Sequence, residues 1–141
     1  MTYLVSRRQL HIEWGHCDPA GIVFNSRFFE FFDAGTGHLF HLALGMKKPE
    51  MMAAYEADMP LVDARAKYMI PASFGDVVEI ASTIGEFRRS SFDVQHRIYK
   101  DGKLAVEGQE TRVWIGRDPA DPSRMRSKPI PPDVIERFKV G

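Results

Sequence analysis

Along the chain the spacing of apolar residues changes period and then changes back. Within residues 3–14, Leu10, Ile12 and Trp14 alternate with Gln9, His11 and Glu13. That period of two predicts a strand with one buried face. Gly15-His16-Cys17-Asp18-Pro19-Ala20-Gly21 interrupts it. Glycine and proline there predict a turn, and Pro19 steers Asp18 away from helical dihedrals. From about residue 26 to 44, Phe28, Phe31, Phe32, Leu39, Leu42 and Ala43 fall near helical spacing, with Asn25 or Ser26 placed to cap the first turn. Phe29 and Phe40 widen the stripe, so this helix is predicted to be buried on most sides. Gly35 and Gly37 weaken it intrinsically, which points to close approach of another backbone. Gly45 is placed to end it.

Residues 47–58 are Met-rich and predict a short second helix, with Met46, Met51 and Met52 filling core or lining a flexible lid. Four strand-like runs follow, at 61–70, 76–87, 90–100 and 104–115. In the first of these Val62, Ala64, Ala66, Tyr68 and Ile70 share one face. Asp101-Gly102 marks a two-residue hairpin between the last two. The proline-rich stretch 117–141 predicts loop, then a short helix over 132–139. The order predicts an α+β fold. A five-stranded antiparallel β-sheet wraps around one long central α-helix in a single domain, 1–141, with a core of about 3–116 and a tail of 117–141. One helix covers only part of such a sheet, and exposed edges are relieved by pairing into a dimer.

Composition narrows the partners. The 141 residues carry 19 Lys+Arg and 19 Asp+Glu. A chain without net charge has no bulk electrostatic reason to hold nucleic acid or an anionic membrane. Ten Phe and four Tyr supply enough apolar area to oppose disorder. The single cysteine, Cys17, forms neither an internal disulfide nor a Cys-rich zinc site. No run approaches the ~18 consecutive apolar residues of a membrane span, and the first residues lack the apolar stretch of a secretory leader. A cytoplasmic protein is expected.

The stretch from Glu13 to Phe24 holds the candidate chemistry. Asp18 lies in a Gly/Pro turn a few residues before a helix start, where unpaired N–H groups and the positive dipole end gather. A carbonyl there would be polarised, and Asp18 would attack it or activate water. The same spacing also suits an aspartate that merely caps its turn. Arg88 and Arg89, between two strands, read either as a solvated basic turn or as a bidentate phosphate grip.

Asp18-Pro19-Ala20-Gly21-Ile22-Val23, then Phe28-Phe29-Glu30-Phe31-Phe32-Asp33-Ala34, resembles the hotdog-fold thioesterases of the 4-hydroxybenzoyl-CoA thioesterase type. The likeness runs over about residues 8–115 and includes Arg88-Arg89-Ser90-Ser91-Phe92. It implies the hotdog fold, a dimer that is often a tetramer, active sites at the subunit interface, and hydrolysis of an aromatic or short acyl-CoA without metal or cofactor. It implies Asp18 as nucleophile or general base and backbone amides near Phe24 and Asn25 as the electrophile. It further implies Asp33 in the acyl pocket, and Arg88 and Arg89, with Ser90 or Ser91, at the phosphates of coenzyme A. Asn25 stands where the 4-hydroxybenzoyl enzyme has Tyr, so pocket shape and substrate are expected to differ. His16 replaces an acidic residue beside the motif, which makes an ionised Asp18 less costly.

Other features read as structural. His96 shares a strand face with Phe92, Val94 and Ile98, as a hydrogen-bonded core or interface histidine would. His38 and His41 lie three apart on the helix without a second ligand pair. The cluster His11, His16, Cys17 and Asp18 matches no common metal spacing. Two competing functions remain. A hotdog hydratase or dehydratase needs a His with Asp or Glu acting on the chain, and a binding module would hold acyl-CoA without turnover.

Overall fold

The computed structural model describes residues 2–140. The predicted first strand is divided. Thr2–Tyr3 (β1) and Val5–His11 (β2) are separate elements, and a 3-10 turn occupies Trp14–His16. Trp14 is therefore exposed, at 58%, where alternation predicted an inward residue; Leu10 and Ile12 are buried as predicted. The correction has a local cause. His16 Nδ1 accepts the Glu13 N–H at 2.9 Å and coils the chain back on itself.

The long helix, α1, spans Arg27–Leu44 and ends at Gly45, whose φ of 70° is the left-handed conformation that glycine adopts without penalty. Ser26 holds the N-cap position but makes no side-chain cap. Phe28, Phe31, Phe32, Leu39, Phe40, Ala43 and Leu44 are buried. The helix is not enclosed on most sides, however: Leu42, His38 and His41 lie on an exposed face, and Phe29 is half-buried. The sheet covers one side of the helix, and no described element covers the face that carries His38, His41 and Leu42. A short helix, α2, Lys48–Tyr55, buries Met51, with Met46 and Met52 packed alongside.

Ala57–Asp58 (β3), Leu61–Tyr68 (β4), Val77–Phe87 (β5), Ser91–Lys100 (β6) and Lys103–Val113 (β7) come next. The main sheet is antiparallel, in the order β2-β5-β6-β7-β4. Five strands around α1 form the expected hotdog arrangement. β6 and β7 join through Asp101 (φ 51°) and Gly102 (φ 74°), as the dipeptide signal required. A register shift between Leu61 and Asp63 turns part of β4 outward. Val62 and Tyr68 are exposed, whereas Ala64, Ala66 and Ile70 from the same predicted face are half-buried.

The tail is more ordered than the sequence suggested. Ile115–Arg117 (β8) and Met125–Ser127 (β9) form a small sheet with β3. Pro132–Arg137 forms α3, and Lys139–Val140 (β10) pairs with β1. Ile130, Val134 and Phe138 join the core at the C-terminal end of α1, where Phe138 meets Phe40 edge-on at 4.8 Å. No described helix is long and apolar enough to cross a membrane.

Gly35 and Gly108 let α1 and the sheet close on each other. A Cβ on Gly35 would stand 2.6 Å from Ser82 Oγ and 3.1 Å from His96 Nδ1, and one on Gly108 would overlap the Phe32 ring. The close approach at Gly35 is thus to polar side chains and not to backbone. Gly37 faces open space and has no such role.

Candidate active site

Between β2 and α1 the chain makes a tight hairpin. Cys17 pairs with Val23, the Asp18 amide donates to Ile22 O (3.0 Å), and the Gly21 amide donates back to Asp18 O (2.9 Å). Gly21 permits the turn with φ +83°. The hairpin is held from below, where the Val23 N–H reaches Ala72 O (2.8 Å) and Ile22 pairs with Ser73. Asp18 is half-buried at its tip. Its Oδ1 accepts the Ala20 N–H at 2.8 Å, the turn-capping bond, while Oδ2 has no partner among the described residues. Capping and chemistry are therefore compatible, because they use different oxygens.

Directly after the hairpin comes the start of α1. The Phe24 amide donates to His16 O at 3.0 Å, so the expectation that it polarises a substrate carbonyl is corrected. The amides of Asn25 and Ser26 find no acceptor among the described residues. These are the orphan donors that every helix start presents, here at the foot of the hairpin that carries the open carboxylate oxygen. The Asn25 side chain is exposed, and its carbonyl accepts the Tyr68 hydroxyl at 3.1 Å. Burial pushes the Tyr68 phenol above its ordinary range. A cleft of ≈ 160 Å³ opens here, with Ile22, Asn25, Phe28 and Tyr68 among its walls. The Phe24 side chain is 52% exposed. The His16 ring also packs edge-on against Phe31 at 5.1 Å.

Asp33 lies on α1 beside a different part of the sheet. Its Oδ1 accepts Arg112 Nη2 at 2.7 Å, and the two line a cleft of ≈ 480 Å³ between α1 and β4 with Phe29, Leu61 and Ala64. Beneath runs a buried polar chain that the sequence reading did not assemble. Ser82 Oγ meets His96 Nδ1 (2.7 Å), His96 Nε2 meets Glu110 Oε1 (3.0 Å), Thr36 donates to the same oxygen, and Arg112 Nη2 donates to Glu110 Oε2 (2.8 Å). Burial alone would push the Glu110 carboxyl up. The bonds from His96, Arg112 and Thr36, with the Arg112 charge, outweigh that and hold it at about 2. Glu110 strengthens Arg112 as a cation in return, against the desolvation that lowers it. The signal was present in the alternation of β7. Val106, Gly108, Glu110, Arg112 and Trp114 share one face, with two charges at inward positions. His96 with Glu110 is the His/Glu pair that hydratase chemistry would require, but at 0% and 2% side-chain exposure it meets no substrate.

The basic turn is corrected too. Arg88 does not offer a free phosphate grip. Nε donates to Ser91 Oγ (2.8 Å), Nη1 to Glu86 (3.0 Å) and Asp93 (2.9 Å), and Nη2 to Asp93 (2.8 Å). The Asp93 hydrogen bonds, opposed by desolvation, hold the Arg88 guanidinium more firmly protonated than usual, and Asp93 sits below its ordinary range because of Arg88. Two acidic neighbours on β5 and β6 outcompete an external anion for this fork. Arg89 is exposed and its side chain has no partner among the described residues; Ser90 is half-buried, with its carbonyl bonded to the Trp114 N–H (2.6 Å).

One distance organises all of this. Asp18, Phe24 and Asn25 lie at the end of the sheet where β5 begins. Arg88, Arg89, Ser90 and Ser91 lie where it ends, eleven residues later. At 3.2–3.4 Å per residue the separation along β5 is about 35 Å. One copy therefore does not bring the carboxylate and the arginines together. Among the described residues, no three His, Cys, Asp or Glu side chains converge as metal ligands would.

Comparison with known proteins gives consistent matches. A family profile described as the thioesterase-like superfamily matches residues 12–138. The chain is 32% identical over 136 residues to the 4-hydroxybenzoyl-CoA thioesterase of Pseudomonas sp. (strain CBS-3), covering 91% of this chain and 93% of that protein. A crystal structure of a 4-hydroxybenzoyl CoA thioesterase mutant complexed with 4-hydroxybenzoyl CoA superposes with a TM-score of 0.84, at 28% identity, over 96% of this chain and 99% of that one. A gentisyl-coenzyme A thioesterase gives a TM-score of 0.81, at 27% identity, over 95% and 100% of the two chains.

Proposed function

The chain belongs to the thioesterase-like superfamily, and from that premise we propose that it is an acyl-CoA thioesterase acting on a hydroxylated aromatic acyl group. Water adds to the thioester carbonyl, the carbon–sulfur bond breaks, and a carboxylic acid and the free thiol of coenzyme A leave. The observation that carries this reading is an open Asp18 Oδ2 on the hairpin that leads directly into the unpaired amides of Asn25 and Ser26. Those amides stabilise the oxyanion that forms at the carbonyl. Asp18 acts as the nucleophile, or as the base that takes the proton from water. Asp33 lines the acyl pocket. The two aromatic acyl groups named in the related structures, 4-hydroxybenzoyl and gentisyl, support a substrate of this class. A cytoplasmic setting is part of the proposal, in keeping with a lone cysteine.

The enzyme works as at least a dimer in this proposal. β4 is a sheet edge whose outward residues include Leu61, Val62 and Tyr68, exposed by 47%, 59% and 44%. An unpaired apolar edge invites the same edge of a second copy. Two-fold pairing is antiparallel, so the Leu61 end of β4 meets the partner's Tyr68 end. Leu61 shares its register row with Arg112, Phe92 and Phe87, next to Arg88 and Arg89. Tyr68 is bonded to Asn25. Pairing in this way turns the arginine end of one copy toward the carboxylate end of the other and narrows the gap of about 35 Å.

Thiol release measured with a trapping dye across 4-hydroxybenzoyl-, benzoyl-, phenylacetyl- and short aliphatic CoA esters tests the activity. Turnover is expected to be fastest on a hydroxylated aromatic ester. Binding of these esters without any thiol release would favour a carrier module instead. The phosphate contact is assigned to Arg89 in place of Arg88. Arg89→Ala is expected to raise KM for acyl-CoA by about three- to tenfold while leaving KM for a pantetheine thioester unchanged. Arg88→Ala is expected to lower thermal stability and to affect both substrates alike. An equal rise for both thioesters in Arg89→Ala would remove Arg89 from the phosphate site.

A further inference from the structure

The buried chain that begins at Ser82 ends in the cleft between α1 and β4, and Arg112 stands at its outer end. The Arg112 side chain is 4% exposed, whereas that of Asp33 is 65% exposed. Arg112 Nη1 is tied to Met59 O (3.1 Å), and Nη2 bridges Glu110 Oε2 and Asp33 Oδ1. The guanidinium is thus held from behind by the carbonyl of Met59, just after β3, and by Glu110 on β7, besides its contact with the helix. It takes one oxygen of Asp33 and leaves Oδ2, which has no partner among the described residues. An aspartate on an open helix face otherwise exchanges rotamers freely; this one is anchored by a charge-assisted bond to a group that does not move. The charges lining the cleft are three carboxylates, Glu30, Asp33 and Glu110, against one guanidinium, with Glu30 paired to Arg27. Such a floor favours a neutral hydrogen-bond donor at the far end of an acyl group and disfavours a carboxylate there.

We propose that Arg112, backed by Glu110, is the positioning residue that aims the free oxygen of Asp33 into the cleft, so that the enzyme selects acyl groups carrying a hydroxyl at their far end. This rests on the reading that Asp33 meets the acyl group, and the experiment keeps the two apart. The readout is the ratio of kcat/KM for 4-hydroxybenzoyl-CoA to that for benzoyl-CoA, which damage to the general fold would leave unchanged. Asp33→Asn is expected to lower the ratio by about tenfold, the loss of one hydrogen bond to a charged group. Arg112→Lys keeps the buried charge opposite Glu110 but replaces the rigid two-nitrogen group that spans Met59 O and both carboxylates with a single ammonium on a shorter, flexible stem. It is expected to lower the ratio severalfold, and the double variant is expected to fall no further than Asp33→Asn alone. If Arg112→Lys does not fold, Arg112→Gln combined with Glu110→Gln removes both buried charges together and is read by the same ratio. A full ratio in either Arg112 variant, with Asp33→Asn reduced, would overturn the role of Arg112 alone. A full ratio in Asp33→Asn would overturn the Asp33 reading, and this proposal with it.

Discussion

Asp18→Asn is expected to lower kcat by about 10³-fold or more while leaving the fold and KM near their original values. The substitution separates the two jobs of this side chain. Its amide oxygen still accepts the Ala20 N–H that Oδ1 accepts at 2.8 Å, so the hairpin at Cys17–Val23 keeps its shape. The atom that changes is the second one. Oδ2, which has no partner among the described residues, becomes an NH₂ group that neither attacks a carbonyl nor takes a proton from water. The amides of Asn25 and Ser26 remain, so substrate is still oriented and some residual rate survives from polarisation alone. Single-turnover thiol release, with substrate affinity measured separately, distinguishes this from a loss of binding. Turnover within tenfold of the original would show that Asp18 caps a turn and does nothing more.

Glu110→Ala is expected to cost about 3–5 kcal/mol of folding stability, because it leaves the buried Arg112 cation without its main partner and strands His96 and Thr36. The pH dependence gives an independent check. The Glu110 carboxyl is held at about 2 in the folded protein against an ordinary 4.5. A group whose folded value is depressed stabilises the protein fully above its unfolded value, and that contribution disappears as pH falls through the folded value. The gap corresponds to about 3 kcal/mol at neutral pH, lost between about pH 4.5 and 2. Urea unfolding at stepped pH is expected to show this slope in the original protein and a flatter profile in the variant. A variant within about 1 kcal/mol of the original at pH 7 would mean that the core tolerates a lone guanidinium at Arg112.

The elements that the sequence located well are those set by local pattern. Alternation found β5 and β6 nearly to the residue, Asp101-Gly102 found their neighbouring hairpin, and the phenylalanine stripe found α1. Trp14 was misread because alternation cannot see a side chain such as His16 reaching back to the backbone three residues earlier. In the tail the short helix was found as α3, but β8, β9 and β10 were missed, because they pair with each other and with β3 and β1, which lie far away in sequence.

The site divides along the same line. Asp18 before a helix start was legible because a turn, a proline and a cap are contiguous and their chemistry is local. Which helix-start amides are open was not legible, since the Phe24 N–H is taken by the carbonyl of His16 eight residues earlier. Whether Arg88 or Arg89 is available was likewise decided by Glu86 and Asp93 on adjoining strands. The Ser82–His96–Glu110–Arg112–Asp33 chain draws its residues from β5, β6, β7 and α1, with partners up to 79 residues apart. Sequence alone determined the hydrophobic periods, the turns and the candidate carboxylate, because those depend on neighbours within a few residues. Tertiary structure decided which polar groups are already satisfied and which are free to react, because a hydrogen bond is a contact in space and a buried group takes the partner that the fold brings to it.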